Sequence, residues 1–182
     1  MLRSAGLGAV PDTSRGLDHG AWVPLLHMYP DADVPVLQVS MPGSLDSEWA
    51  LRLGQALAPL AEEGVLVIGS GSLTHNLYEF RQHAAEEADY AREFTQWIRE
   101  AVLANDSARL LAALRDAPHA ARSHPTSEHF LPLLVAYGAA RQSGDLTWPV
   151  TVLDGGIEHG VLSMESYVFG RAMMLEPEGA TA

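Results

Sequence analysis

Two short apolar runs on either side of an amphipathic segment constrain the fold of this chain more than any other feature. VPVLQVS (34–40) and VLVIGS (65–70) are rich in β-branched residues and apolar on both faces, as strands buried inside a sheet are. The segment between them has apolar residues at helical spacing, and Gly64 fits the end of that helix. A strand–helix–strand unit of this kind joins parallel strands by a right-handed crossover.

The rest of the sequence extends this pattern. We predict helices over 46–63, 86–103, 106–116 and 128–141, and further strands over 148–154 and 160–170. The sequence therefore predicts an α/β fold with a mostly parallel central sheet and helices on both faces. The predicted organisation is a loop start at 1–14, a single α/β domain at 15–172 and a frayed tail at 173–182.

Charge and composition exclude several classes of protein. The 182 residues contain 11 Lys+Arg and 23 Asp+Glu, a net charge of −12, which argues against nucleic-acid partners and against anionic membrane surfaces. Cysteine is absent, so disulfides, thiolate metal sites and cysteine nucleophiles are excluded. The start of the sequence has no signal-peptide pattern and no run of 18 apolar residues occurs. We expect a cytoplasmic protein.

Histidines are the residues most suited to chemistry here. His75 follows the second buried strand in a Gly/Ser loop, and ligand groups gather at the carboxyl ends of parallel strands. His129 opens an apolar helix beside Glu128, where the helix dipole favours the neutral imidazole that a divalent metal binds. His19 lies between two glycines, which permit close approach of a ligand to the backbone. Each also fits an ordinary loop, turn or helix-end histidine.

The remaining histidines are weaker candidates. His159 lies between two predicted strands, where a hairpin loop is the better interpretation. The other four are interpreted as solvated or packing residues: His27, His83, His119 and His124. From residue types and positions alone, the chain is an acidic α/β domain with three histidines suited to a mononuclear metal site or to general acid–base chemistry.

Four segments resemble a known family. They are RGLDHGAWVPLLHMYPDADVPVLQVS (15–40), VIGSGSLTHNL (67–77), HPTSEHFLPLLVAYGAA (124–140) and DGGIEHGVLSMESYVFG (154–170). In this order and spacing they resemble the class III extradiol ring-cleavage dioxygenases of the LigB type, and most of all the branch similar to 4,5-DOPA extradiol dioxygenases. The resemblance implies ring opening of a catechol-type substrate by O₂ at one non-haem divalent metal, Fe(II), with Zn(II) as the other ion described in this branch.

The resemblance also assigns roles to individual residues. His129 matches a metal ligand of the family, and His75 matches the histidine beside the metal, which is either a further ligand or the acid–base group. His19 matches a pocket histidine that contacts substrate or oxygen. His159 stands where the family has an apolar residue, so we treat it as a replacement substrate contact.

Two further family ligands have no counterpart in this sequence, because no histidine precedes His19. The resemblance covers the C-terminal two-thirds of such an enzyme, so we expect the N-terminal third to be missing. A fragment or truncated gene model, a second chain that completes the site, and a protein that has lost catalysis all remain open. The alternative function is therefore an inactive member that binds a small molecule or a partner, with self-association through an unpaired sheet edge.

Overall fold

The computed structural model describes residues 1–41, 43, 46–80, 86–142, 145–146 and 149–170. Its helices are α1 His19–Met28, α2 Ser47–Leu57, α3 Leu77–Phe80, α4 Asp89–Leu103, α5 Ser107–Leu111, α6 Ala113–Asp116, α7 Ala120–Ser123 and α8 Leu131–Ala139, with a 3₁₀ helix at Ala58–Glu63. Its strands are β1 Arg141–Gln142, β2 Asp145–Leu146, β3 Val150–Leu153, β4 Ile157–Glu158, β5 Leu162–Ser163 and β6 Ser166–Phe169.

The predicted helix over 46–63 is confirmed, with both of its ends defined. Asp46 caps α2 by accepting a hydrogen bond from the backbone N–H of Glu48 at 2.8 Å. The 3₁₀ helix continues α2 and ends at Gly64, whose φ of 77° lies in the left-handed region that glycine adopts without strain. The helix predicted at 86–103 is also confirmed, since α4 occupies its last fifteen residues.

Helix α4 and helix α8 form the centre of the main core. Phe94, Ile98 and Val102 of α4 are fully buried at helical spacing, as the apolar stripe in the sequence predicted. They pack in one cluster with side chains of α8, among them Leu134 and Tyr137. The start of α8, which follows His129, is therefore fixed by burial.

The predicted parallel central sheet is not formed by the described residues. They contain three two-stranded antiparallel sheets, β1–β2, β3–β6 and β4–β5. The segments 34–40 and 65–70 contain no assigned strand, and the predicted crossover unit with parallel strands is absent from the described part. The apolar pattern of these two segments predicts an extended chain, but a strand also needs a neighbouring strand to which its backbone is hydrogen-bonded.

The strands predicted near the C-terminus are confirmed in outline. β3 pairs with β6 in an antiparallel register in which Val150 lies opposite Phe169 and Leu153 opposite Ser166. The predicted strand over 160–170 is divided into β5 and β6. No described helix is long and apolar enough to span a membrane. The domain division and the cytoplasmic location stay predictions, and residues 171–182 lie outside the described part.

Candidate functional site

Two glycines bring the segment before His75 against the first turn of α8. A Cβ on Gly69 would lie 2.1 Å from the backbone oxygen of Pro132, and one on Gly71 would lie 2.2 Å from that of His129. Ser72 then donates its backbone N–H to the same oxygen of His129 at 2.8 Å. Only glycine permits so close a backbone approach, so the sequence GSGS positions the His75 loop on the residue that carries the second imidazole.

The Thr74 hydroxyl attaches the same loop to the hairpin formed by β4 and β5. This fully buried oxygen donates to the backbone oxygen of Val161 and accepts from the N–H of Ser163, both at 2.7 Å. The next residue, His75, donates its backbone N–H to the oxygen of Ser123 at 2.8 Å. The backbone on either side of the His75 side chain is thus held by two different parts of the chain.

The imidazoles of His75 and His129 form a stacked pair. Their ring centroids are 3.4 Å apart and their planes differ by 11°. Partial burial lowers the pKa of His75, and the neighbouring His129 lowers it further, while the Glu128 carboxylate acts in the opposite direction. His75 therefore favours its neutral form at neutral pH.

Glu128 is the acidic group beside this pair. One carboxylate oxygen lies 3.3 Å from Nδ1 of His129. That Nδ1 is buried and is without a hydrogen-bond partner among the described residues. The hydroxyl of Thr126 donates to the same carboxylate at 2.7 Å and is the main reason that the Glu128 pKa is lowered. Glu128 therefore stays ionised beside the two rings.

A third histidine, His124, supports the pair from the core. Its Nε2 lies 2.7 Å from the backbone oxygen of Leu73 and donates to it, and its ring packs against Phe94 and Phe130. Burial lowers its pKa to about 4, and the two nearby imidazoles lower it in the same direction. The interpretation of His124 as a packing residue is confirmed, and its hydrogen bond fixes the start of the His75 loop.

An open cleft of about 600 Å³ has His129 and the segment of residues 65–73 in its lining. Residues 65–73 form one wall of the cleft. The other walls are residues of the 3₁₀ helix and α8, Leu153 of β3, and residues 165–169, which include β6. Pro24 and Met28 of α1 complete the cleft. The walls are mainly apolar and include His129, so the cleft suits an aromatic ring or an extended apolar segment.

Of the predicted site residues, His129 belongs to the lining of this cleft, whereas His75, His19 and His159 lie outside it. His19 is exposed at the first position of α1, although a Cβ on the next residue, Gly20, would come within 3.6 Å of the Ser70 hydroxyl. His159 is exposed with a φ of 52° and lies edge-on to the Phe80 ring at 4.5 Å. Their roles as substrate contacts stay predictions. Of the other histidines, His27 and His119 are exposed as predicted, and His83 lies outside the described residues.

The described donor set does not fit a divalent metal. No group of three or more His, Asp or Glu among the described residues could hold one. A metal lies in the plane of each imidazole that binds it, and two nearly parallel planes 3.4 Å apart have no common point within bonding distance. The ligand roles predicted for His129 and His75 stay predictions, and shared coordination requires the stacked rings to separate.

Sequence reasoning missed one buried charge beside the cleft. The Glu165 carboxylate lines it and accepts hydrogen bonds from the Arg99 guanidinium and the Tyr167 hydroxyl. Burial, followed by this hydrogen bond, raises the pKa of Tyr167. The signal was present in the alternation along 161–169, which places Glu165 on the same strand face as the buried Val161.

Known proteins are similar to this chain over nearly all of its length. A family model described as "Catalytic LigB subunit of aromatic ring-opening dioxygenase" matches residues 1–170. The "4,5-DOPA dioxygenase extradiol" of Beta vulgaris is 42% identical over 170 residues, which cover 93% of this chain and 62% of that protein. The protein of the same name from Escherichia coli (strain K12) is 35% identical over 158 residues, covering 85% of this chain and 57% of its own length.

A solved structure is similar in fold. The crystal structure of an uncharacterized protein from Escherichia coli K12 matches with a TM-score of 0.74 and 33% identity, covering 87% of this chain and 65% of that protein. The chain thus spans between 57% and 62% of the length of the two dioxygenase relatives.

Proposed function

Because this chain belongs to the LigB family of aromatic ring-opening dioxygenases, we propose that it forms the ring-binding and acid–base side of a centre that opens a catechol-type ring with O₂. The names of its dioxygenase relatives support an aromatic substrate and O₂ as reactants. The observation that carries the proposal is the stacked pair of His75 and His129, the second of which belongs to the lining of a mainly apolar cleft.

The cleft gives the substrate ring its orientation in this proposal. An aromatic ring buries its faces against apolar walls such as Leu133 and Ala136 of α8 and Leu73 of the loop. His129 is among the residues that line the cleft, so it is the group proposed to contact the two ring oxygens.

His75 is the proposed proton acceptor. Its ring is held neutral by burial and by the adjacent imidazole, and a neutral imidazole nitrogen accepts a proton from a catechol hydroxyl. The ionised Glu128 beside the pair stabilises the positive charge that this transfer creates. Loss of the proton makes the ring richer in electrons, which is the change that favours its reaction with O₂.

LigB-family extradiol dioxygenases use a non-haem metal. Fe(II), with Zn(II) as the second candidate, is the ion proposed here, and His129 is its proposed ligand. His75 would join it only if the rings separate, and the further ligands would come from outside the described residues. His19 and His159 are kept in the proposal as substrate contacts.

Oxygen uptake tests the proposal. The purified chain is loaded with Fe(II) or Zn(II) and supplied with catechol and 3,4-dihydroxyphenylalanine, alone and together with the polypeptide that its relatives have in addition. With Fe(II) and that polypeptide both present, we expect one O₂ to be consumed for each ring opened, with uptake abolished by His75→Ala or His129→Ala. The exposed His119→Ala variant is the matched control and should keep the activity. Uptake that survives both site variants contradicts the proposal.

The second candidate is a non-catalytic domain that binds an aromatic ligand. The stacked rings of His75 and His129 favour this second function, because in their present arrangement they cannot both bind one metal ion. Catechol binding that is measurable by calorimetry and weakened by His129→Ala, with no oxygen uptake under any metal condition, would establish this function in place of the first.

A further inference from the structure

The backbone that leads into His75 is joined to the end of α7 by two hydrogen bonds. The backbone N–H of His75 donates to the oxygen of Ser123 at 2.8 Å, and Nε2 of His124 donates to the oxygen of Leu73 at 2.7 Å. The two segments therefore run in antiparallel order, with Leu73 beside His124 and His75 beside Ser123. Both bonds act on the N-terminal side of the His75 Cα, so the peptide that follows His75 needs a further contact to hold it.

Asn76 supplies that contact through its side chain. It is 7% exposed, and its Nδ2 donates to the backbone oxygen of Arg122 at 2.8 Å. Because a carbonyl oxygen only accepts, the amide nitrogen faces Arg122 and the amide oxygen faces the other way. There Oδ1 accepts the backbone N–H of Tyr78 at 3.2 Å, at the beginning of α3. One planar amide thus caps α3 and continues the row of bonds past His75.

Asparagine is the residue type that performs both tasks at this position. Asp, Ser and Thr also cap helices, because each offers an oxygen to the first N–H groups. An ionised aspartate has no donor, and the hydroxyl of serine or threonine lies one bond nearer to the backbone than the amide nitrogen of asparagine. The cap alone would be formed by any of these residues, whereas the bond to the Arg122 oxygen depends on the amide.

The orientation of the His75 backbone determines where its imidazole lies. This ring is stacked on that of His129 with centroids 3.4 Å apart, and the N–H of Ser72 bonds the other end of the same segment to the His129 backbone. A side chain occupies a staggered rotamer whose direction is set by its own backbone. Rotation of the peptide after His75 would therefore carry the ring out of the stack.

We propose that Asn76 is a positioning residue for His75. Its amide holds the peptide that follows His75 against the end of α7, so that the imidazole stays in the stack with His129. Asn76 acts through His75 and does not itself contact the substrate. The kinetic consequence rests on the proposed function, in which His75 is the proton acceptor, whereas the structural consequence concerns the two rings alone.

A second contact between α3 and α7 provides a matched control. The Arg122 guanidinium donates to both carboxylate oxygens of Glu79, at 2.7 and 2.8 Å, and lies 4.0 Å from the centroid of the Tyr90 ring. Arg122→Met removes these side-chain contacts but keeps the backbone oxygen to which Asn76 donates. Loss of the Asn76 bond can therefore be separated from a general loosening of α3 from α7.

Ring-current shifts in NMR spectra measure the stacking directly. The histidine ring protons of the isotope-labelled whole chain are observed at about pH 8, where the imidazoles are neutral. His129→Ala gives the His75 signals without the stacked ring. Asn76→Ser and Asn76→Asp both keep an oxygen for the α3 cap, and in both the His75 signals should move from the wild-type position most of the way to this reference. Arg122→Met should leave them at the wild-type position.

The kinetics of ring opening give a second readout. With Fe(II) and the polypeptide that the relatives have in addition, Asn76→Ser should lower kcat by about tenfold to a hundredfold with KM unchanged, because a misplaced proton acceptor slows the chemical step without weakening substrate binding. Arg122→Met should keep the wild-type kcat. If the wild type opens no ring, the proposed function fails, and the ring-current shifts, which need neither metal nor substrate, still decide the inference.

Four results would overturn the inference. One is a His75 signal at the wild-type position in both Asn76 variants. Another is an equal displacement in Arg122→Met, which would assign the effect to general packing of α3. The third is a raised KM with kcat unchanged in Asn76→Ser, which would place Asn76 in substrate binding. The fourth is unfolding of both Asn76 variants, seen as loss of the α4 amide signals, since the bond would then support the whole fold rather than one side chain.

Discussion

Gly54 of α2 and Gly138 of α8 lie against each other so closely that neither position has room for a methyl group. A Cβ on Gly54 would lie 2.1 Å from the backbone oxygen of Val135, and one on Gly138 would lie 2.5 Å from that of Leu51. The two helices therefore meet backbone to backbone, which sets the position of α8 and of the imidazole that precedes it.

Gly54→Ala and Gly138→Ala should each destabilise the fold by more than about 2 kcal/mol, because backbone atoms must move to admit the methyl group. Urea unfolding with an unchanged m value would measure this loss. Gly16→Ala is the matched control, since a Cβ there meets nothing within 4 Å, and it should change stability by less than about 0.5 kcal/mol. Equal stability of the three variants would mean that the helices do not pack this closely.

The stability of the chain should depend on pH through His124. Its folded pKa is lowered to about 4, so the folded state favours the neutral ring, while the unfolded ring titrates near about 6.5. The stabilisation is present above about pH 6.5 and is lost as pH falls towards 4, by up to about 3 kcal/mol.

His124→Gln isolates this effect, because an amide Nε2 can still donate to the Leu73 oxygen but does not titrate. The free energy of unfolding of the wild type should fall more steeply than that of the variant between pH 7 and pH 4. A stability difference that stays constant over this range would show that His124 is not held as a buried neutral ring.

Arg99 should stabilise the folded protein mainly because its partner Glu165 is buried. The Glu165 side chain is 1% exposed and its carboxylate accepts from the guanidinium, so Arg99→Met leaves a buried charge poorly compensated. We expect a loss of about 3 kcal/mol, and a smaller loss in the double variant Arg99→Met/Glu165→Gln.

The exposed pair Arg92–Asp89 provides the control for that cycle. Arg92→Met removes a guanidinium of the same helix from a carboxylate that is 78% exposed, and it should change stability by less than about 1 kcal/mol. Thermal or urea unfolding of the wild type, Arg99→Met, Glu165→Gln and the double variant gives the coupling energy. A double variant no more stable than Arg99→Met would show that the arginine acts by packing rather than by charge.

The chain alone should bind divalent metal weakly. With the His75 and His129 rings stacked, one imidazole at most contributes to a site, so calorimetry with Zn(II) as a redox-inert probe should give a Kd no tighter than about 10 μM. Catechol turnover by the Fe(II)-treated chain should stay near background. Tight binding that is lost in both His75→Ala and His129→Ala would show that the rings separate around the ion, and Glu158 and His159 would be the first residues to test as added ligands.

Helices were predictable from the sequence because their evidence is local. The spacing of Phe94, Ile98 and Val102 is sufficient to predict α4 and its buried face, and the core confirms it. The β-branched run at 65–70 likewise predicted an extended chain. Its pairing was not predictable, since a strand partner is defined by a remote segment, and the described residues contain none for this one.

The candidate site was predictable in its members but not in its geometry. Family resemblance singled out His75 and His129, which are far apart in sequence, and the structure stacks their rings. The stacking depends on the Gly71 approach and the Thr74 bonds, which no short-range pattern encodes. The pairing of Arg99 with Glu165 joins residues 66 positions apart and was missed for the same reason.

The Thr74 hydroxyl links the loop that carries His75 to the segment that leads into β6. It is hydrogen-bonded to the backbone of Val161 and of Ser163, and β6 begins three residues after Ser163. A shift of β6 is therefore transmitted through one oxygen atom to the peptide that carries His75. A displacement of β6 would therefore be felt at the position of this imidazole, although the strand itself does not contact the ring.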